Sequence, residues 1–186
     1  MPESRPPLDI SSMTLADVAR AVAERRLPPV EQWNPPHCGH SGMRIAADGT
    51  WYHEGAPIRR EAMVRLFATV LRREPDGTHV LVTPTEKLTI DVDLAPFVAT
   101  AMSTEGRGRD RRIALQINSG DAVVLGAEHP LRLSTGAGGP VPLVLVRHGL
   151  EASLARPVYY ELAEIAVSEG ADPPGVWSNG AFFVLA

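Results

Sequence analysis

Residues 39–74 read GHSGMRIAADGTWYHEGAPIRREAMVRLFATVLRRE, and the order of signals in this stretch decides the fold class. Asp48-Gly49 stands between Met43-Arg44-Ile45 and Trp51-Tyr52-His53, and an Asp-Gly pair supplies the left-handed backbone positions of a tight hairpin. Glu54-Gly55 offers a second reversal directly afterwards. The period then changes. Met63, Leu66, Phe67, Val70 and Leu71 fall at i, i+3, i+4, i+7 and i+8, the spacing of a surface helix with one apolar stripe, and Arg65, Thr69 and Arg72 lie opposite. Hairpins feeding one amphipathic helix make an α+β unit.

Working outward, Thr14 is placed to cap a short helix running to Arg26, with Asp17 at its third position and Leu15, Val18, Ala19 and Val22 as its apolar face. Pro28-Pro29 stops it, and Met1 to Ile10, rich in proline, is expected on the surface. Val30 to His40 reads as an ordered loop. On the C-terminal side, Asp76-Gly77 turns the chain into a strand at His79 to Thr83. In Glu86 to Val92 the residues Leu88, Ile90 and Val92 share one face. Ala95 to Met102 fits neither period, and Glu105 to Arg112 reads as a polar loop. Beyond it the chain is mostly strand: Ile113 to Ile117, Ala122 to Leu125, His129 to Leu133 and Val141 to Val146. Pro157 suits the first turn of a second helix, whose stripe is Val158, Leu162, Ile165 and Ala166. A last hairpin, Val176 to Leu185, turns at Asn179-Gly180.

The totals narrow the class. At 186 residues and 44% apolar composition the chain can bury a sizeable core, and no run approaches the roughly 20 apolar residues of a membrane span. One cysteine rules out an internal disulfide framework, and the N-terminus lacks a signal-peptide pattern, so a soluble cytoplasmic protein is expected. A net charge of −4 argues against nucleic-acid polymers and anionic membranes as partners. Lys87 is the one lysine among the 18 basic residues, the rest being arginines. Guanidinium groups grip phosphates and carboxylates bidentately, though a GC-rich genome produces the same bias. A slide of the sequence that pairs Ile58 with Leu154, Arg60 with Arg156, Met63 with Tyr159 and Leu66 with Leu162 points to an internal duplication.

The long runs GHSGMRIAADGTWYHEGAPIRREAMVRLFATVLRRE, TPTEKLTIDVDLAPF, HPLR, VRHGLEASLARPVYYEL and GVWSNGAFF resemble the bacterial domain-of-unknown-function family DUF1285, over Trp33 to Leu185. The resemblance implies two similar lobes of antiparallel strands plus a helix, the C-terminal one like a pleckstrin-homology-like barrel. It also implies a ligand, nucleotide-based or similar, between the lobes and a part in signalling. It implies no catalytic residues. The lobes are divided here as residues 1–83, carrying the N-terminal helix, and 84–186, β-rich with one main helix.

Several clusters invite chemistry and are set aside. His37-Cys38-Gly39-His40 has soft ligands but no second pair at zinc spacing, so neither a metal nor a Cys38 nucleophile is expected. Asp91 and Asp93, and Glu161 and Glu164, read as solvated faces. Gly136-Ala137-Gly138-Gly139 leads through Pro140 into a strand rather than opening a helix, which excludes a phosphate loop. Arg107, Arg109, Arg111 and Arg112 are diluted by Glu105 and Asp110, with no aromatic residue between them, and read as a mobile surface loop. The remaining set is Arg44, Trp51, His53, Arg60, Lys87, Arg147, His148, Arg156 and Tyr160, which flank the two helix entries. Arginines hold phosphate oxygens and aromatic rings stack a base. Glu54, Glu86 or Glu151 could equally absorb these arginines.

The expected function is therefore a regulatory protein, more binder than enzyme, taking a small anionic, nucleotide-like ligand at the inter-lobe cleft without a cofactor. A metal-dependent hydrolase or transferase using Asp91, Asp93 or His53 on a phosphorylated small molecule is the second reading. A protein-binding adaptor that uses an exposed strand edge is the third.

Overall fold

The computed structural model describes residues 14, 27–135 and 138–186. Of the expected N-terminal helix only Thr14, exposed, is among them; the rest of that helix, the Met1 to Ile10 segment and Gly136-Ala137 lie outside the described residues. A 3-10 turn at Val30–Gln32 precedes β1 (His37–Ile45), β2 (Trp51–His53) and β3 (Ala56–Pro57). Helix α1 (Glu61–Thr69) follows, and then β4 (Leu71–Arg73), β5 (His79–Val82) and β6 (Glu86–Val92). These six strands form one sheet in the order β3-β2-β1-β6-β5-β4.

The second half builds the same sheet. Its strands are β7 (Phe97–Glu105), β8 (Arg112–Ile117), β9 (Ala122–Val124), β10 (Leu131–Leu133), β11 (Pro142–Arg147) and β12 (Leu150–Leu154), in the order β9-β8-β7-β12-β11-β10. Helix α2 (Arg156–Glu169) then packs on β7 and on the final hairpin, β13 (Gly175–Ser178) with β14 (Ala181–Val184). The C-terminal lobe is thus a curled six-stranded sheet followed by a helix, the plan of a pleckstrin-homology-like half-barrel. The architecture is α+β in two similar lobes.

Three expectations are corrected. Each sheet is two three-stranded meanders joined by one parallel pair, β1 with β6 and β7 with β12, whereas antiparallel strands throughout were expected. Strand β6 completes the first sheet, so the lobes part between Val92 and Phe97 and not at residues 83 and 84. The duplication also has a different register. It equates β1 with β7 and β6 with β12, and α1 sits where the second lobe runs a plain loop from β9 to β10. Helices α1 and α2, which the sequence slide superimposes, hold different places in their lobes.

Local chemistry explains most element boundaries. In the turns after β1 and β4, Asp48 and Asp76 each accept a hydrogen bond from the backbone N–H two residues on, Thr50 and Thr78, both at 2.9 Å. That contact holds both carboxyls below their ordinary 3.8. Glu54-Gly55 and Asn179-Gly180 are two-residue turns with positive φ at both positions, which Gly55, Asn179 and Gly180 adopt readily and Glu54 takes from the turn. Gly49, at φ +88°, also touches the other lobe: a Cβ there would lie 2.8 Å from Val98 Cγ2 and 2.9 Å from Asn118 Nδ2.

Helix α1 ends earlier than its apolar spacing suggests and is turned by about one residue. Thr69 Oγ1 donates to the Leu66 carbonyl at 2.6 Å, and Leu71 leaves the helix to enter β4. Ala68 is buried, with Val64, Phe67 and Val70 against the core, whereas Met63 and Leu66 are exposed. Of the segment Val30 to His40 expected as a loop, His37 to His40 belong to β1 instead, and the ambiguous stretch after Ala95 becomes β7. Phe97, Val98 and Ala99 are all buried because β7 is central in its sheet, so no alternation shows. One apolar cluster runs through both lobes, from Ile45, Trp51, Leu71 and Ile90 to Phe97, Leu115 and Leu162.

Candidate functional site

The residues proposed from sequence do not assemble into one site. Trp51 is 2% exposed and stacks on Phe67, with ring centroids 6.2 Å apart, so it is core and offers no face to a ligand. Arg147, in β11, is the clamp between the lobes. Its guanidinium donates to Asp121 and to the Ala68 carbonyl at the end of α1, and covers the Phe97 ring at 5.0 Å. Arg44 pairs with Asp93 and lies over Tyr52, while Lys87 donates to Glu74 at 3.3 Å. His148 occupies a left-handed turn position opposite Glu31, at 3.5 Å. His53, Arg60, Arg156 and Tyr160 are exposed at separate points, on β2, at the start of α1 and on α2. One apolar cluster runs through both lobes, with the largely buried Arg147–Asp121 pair at their junction, so the described residues of the sequence-derived set do not line one cationic crevice.

A groove does open at the rim of the seam, where the edge strands β4 and β10 approach each other. Its volume is ≈ 360 Å³, and its lining includes Arg73 and His79 from the first lobe, Asp93 from the connection, and Arg132, Ser134 and Glu151 from the second. Glu151 organises it. Arg132 grips this carboxylate with both Nε and Nη2, at 2.6 and 2.7 Å. Arg73 reaches it at 3.8 Å and donates to the Gly149 carbonyl at 3.1 Å. The Glu151 side chain is 13% exposed and that of Arg132 53%, so the pair has a buried half and a wet half.

The charge of the groove follows from these contacts. Burial, and next the positive charge of Arg73, hold the His79 imidazole below its ordinary 6.5 against the pull of Glu151, so it is neutral near pH 7. The hydrogen bond to Glu151 raises the pKa of Arg132. Asp93 is matched by Arg44. Two guanidiniums facing one carboxylate leave one positive charge in excess at the lip. Residues Arg73, His79, Arg132 and Glu151 were not singled out as a site from sequence. Only the polar positions of Arg132 and Glu151 on otherwise apolar strands marked them.

The other clusters are used internally. His40 Nδ1 accepts from the Gly42 N–H at 2.8 Å and its Nε2 lies 3.5 Å from Asp91, which leaves neither nitrogen for Cys38. Among the described residues no group of three or more His, Cys, Asp or Glu side chains could hold a metal ion. No described helix is long and apolar enough to cross a membrane.

Comparison with known proteins places this geometry in a family. The profile described as "Domain of unknown function (DUF1285), N-terminal domain" matches residues 28–95, and "Protein of unknown function (DUF1285), C-terminal domain" matches residues 96–185. The junction falls where the sheets part. A crystal structure of a DUF1285 family protein from Silicibacter pomeroyi DSS-3 is similar with a TM-score of 0.76 and 41% identity, over 94% of this chain and 95% of that one. Another, from Shewanella baltica OS155, has a TM-score of 0.49 and 21% identity, over 66% of this chain and 90% of that one. Among curated proteins nothing matches.

Proposed function

The chain belongs to the DUF1285 family, and from that premise we propose that it is a ligand-binding regulatory protein whose inter-lobe groove takes a small anion. The observation that carries this reading is the imbalance at Glu151: one carboxylate shared by Arg73 and Arg132, with His79 neutral beside them. Guanidinium donors suit phosphate or carboxylate oxygens. The groove's lining holds Ser134 and Thr135 but no Trp, Tyr or Phe, its one ring being the His79 imidazole, so the anionic group carries recognition. A nucleotide is bound, on this reading, through its phosphate alone. Because both lobes line the groove, an occupant would bias how they sit together, which is the link to a cytoplasmic signalling role. The carboxylates of the hydrolase reading, Asp91 and Asp93, are engaged by His40 and Arg44.

The test exploits Glu151 as the internal competitor. Thermal shift across a panel of phosphates, carboxylates and nucleoside monophosphates should reveal a stabilising anion by mass action. Arg132→Gln should abolish the response. Glu151→Gln, which releases both guanidiniums from their carboxylate, should strengthen the response while lowering the unliganded melting temperature. Equal loss of stability with no gained binding would reduce the trio to a structural ion pair and end the proposal.

A further inference from the structure

A second groove, of ≈ 470 Å³, shares no residue with the inter-lobe one. It lies where the turn between β7 and β8 meets Asn179-Gly180 of the final hairpin, and its walls include Arg109, Arg111 and Arg112. Arg111 stands apart as the one buried arginine among the described residues, 8% exposed. Its Nη2 lies 2.8 Å from Glu169 Oε1, an oxygen that also accepts from the Gly108 N–H at 3.1 Å. Its Nε and Nη1 have no hydrogen-bond partner among the described residues.

The backbone around it is fixed. The Arg111 carbonyl accepts from the Asn179 N–H at 2.8 Å and its own N–H donates to Gly108 at 3.1 Å. Gly106 turns the chain at φ +75°, where a Cβ would sit 2.6 Å from the Asp110 carbonyl. Arg109 lies over the Trp177 ring at 4.7 Å, which holds the outer wall. Unmade donors on a buried cation are costly, so two of them on a residue that lines a groove favour a hydrogen-bond acceptor there. One shared carboxylate oxygen does not match a guanidinium that has given up most of its hydration.

We propose that this groove is a second anion site, binding one free phosphate-type oxyanion with Arg111 as its buried donor and Arg112 at its exposed lip. Glu105 and Asp110 line the same groove and repel a polyanion, which fits a single small oxyanion better than a nucleic acid or a charged membrane. The site is independent of the inter-lobe groove.

The experiment is calorimetric titration of the full chain with inorganic phosphate at constant ionic strength. Saturable binding of one phosphate is expected. Arg112→Gln and Arg111→Lys, each checked for native circular dichroism, should both weaken it by about tenfold, the scale of one charge-assisted hydrogen bond. Arg132→Gln should leave it unchanged, which separates this site from the one above. Arg111→Lys keeps a cation beside Glu169, and the exposed Arg112 gives a second variant whose folding is not at issue. The proposal is overturned if no saturable heat appears at tens of millimolar phosphate. It is overturned equally if both variants bind like the parent chain, or if only vesicles bearing a phosphorylated lipid bind.

Discussion

Replacing Arg147 by methionine should destabilise the protein by about 3 kcal/mol, the low end of what breaking a buried ion pair costs. The figure follows from the contacts. The side chains of Arg147 and Asp121 are 14% and 11% exposed, so solvent screens their pairing only slightly. Methionine keeps most of the apolar stem over Phe97 but leaves the Asp121 carboxylate in a low-dielectric site without its cation, and removes the donor to the Ala68 carbonyl. For a chain of this size that cost corresponds to a melting temperature lower by about 6–12 °C. Urea unfolding followed together by tryptophan fluorescence and circular dichroism measures it. Much of the loss falls on the Asp121 carboxylate, which keeps the Ser119 hydroxyl but loses the Arg147 cation, so Arg147→Met with Asp121→Asn should recover part of it, a coupling read directly from the double-mutant cycle. A loss below about 1 kcal/mol, the scale of a solvent-screened surface pair, would refute the clamp. So would full stability combined with a lost response to anions, which is the outcome expected if Arg147 faced a ligand.

Two further outcomes test the seam. His79 is held neutral in the folded state, so the unfolded chain binds its proton at higher pH: stability should be full above 6.5 and decline as pH falls from there towards the folded value, and His79→Gln should flatten that slope in a series of melting curves. Gly49→Ala should cost about 1–3 kcal/mol in denaturant unfolding, because φ is +88° and the new Cβ would press on Val98 in the other lobe; a neutral result would mean that the hairpin does not dock there.

What the sequence discloses is what a few neighbouring residues determine. The turns at Gly55 and Asn179-Gly180 are readable because glycine, and to a lesser degree asparagine, adopts positive φ readily. Helix α2 is readable because Val158, Leu162 and Ala166 share a stripe that Pro157 opens and Gly170, at φ +64°, closes. Helix α1 is readable as a helix but not in its facing, since the stripe through Val64, Phe67 and Ala68 and the one through Met63, Leu66 and Phe67 satisfy the same period. The choice falls to β4, which draws Leu71 into the sheet. The parallel pairing of β1 with β6 joins residues such as His37 and Glu86 that have no local signal in common. The site is harder still. Arg72 and Arg73 are adjacent in sequence but leave β4 on opposite faces, one to the Val30 and Trp33 carbonyls and Glu74, the other to Gly149 and Glu151.

That last contrast also explains why several of the arginines offer no free positive charge to a ligand. Arg44 is matched by Asp93 and Arg147 by Asp121, so composition alone overstates what a ligand could meet. Among the ion pairs of the described residues, positive charge is in excess where one carboxylate serves two cations. Glu74 is such a point, shared by Arg72 and Lys87. Burial pushes its carboxyl up, but their hydrogen bonds and charges pull it below its ordinary 4.5. There, however, Arg72 gives Nη1 to two backbone carbonyls and is only 13% exposed. Glu151 is the other, and its Arg132 stays half in solvent with Nη1 outside the bidentate pair. A shared carboxylate with one wet guanidinium is the arrangement in which an incoming anion gains charge-assisted hydrogen bonds without first breaking the core, and the inter-lobe groove is where this fold presents it.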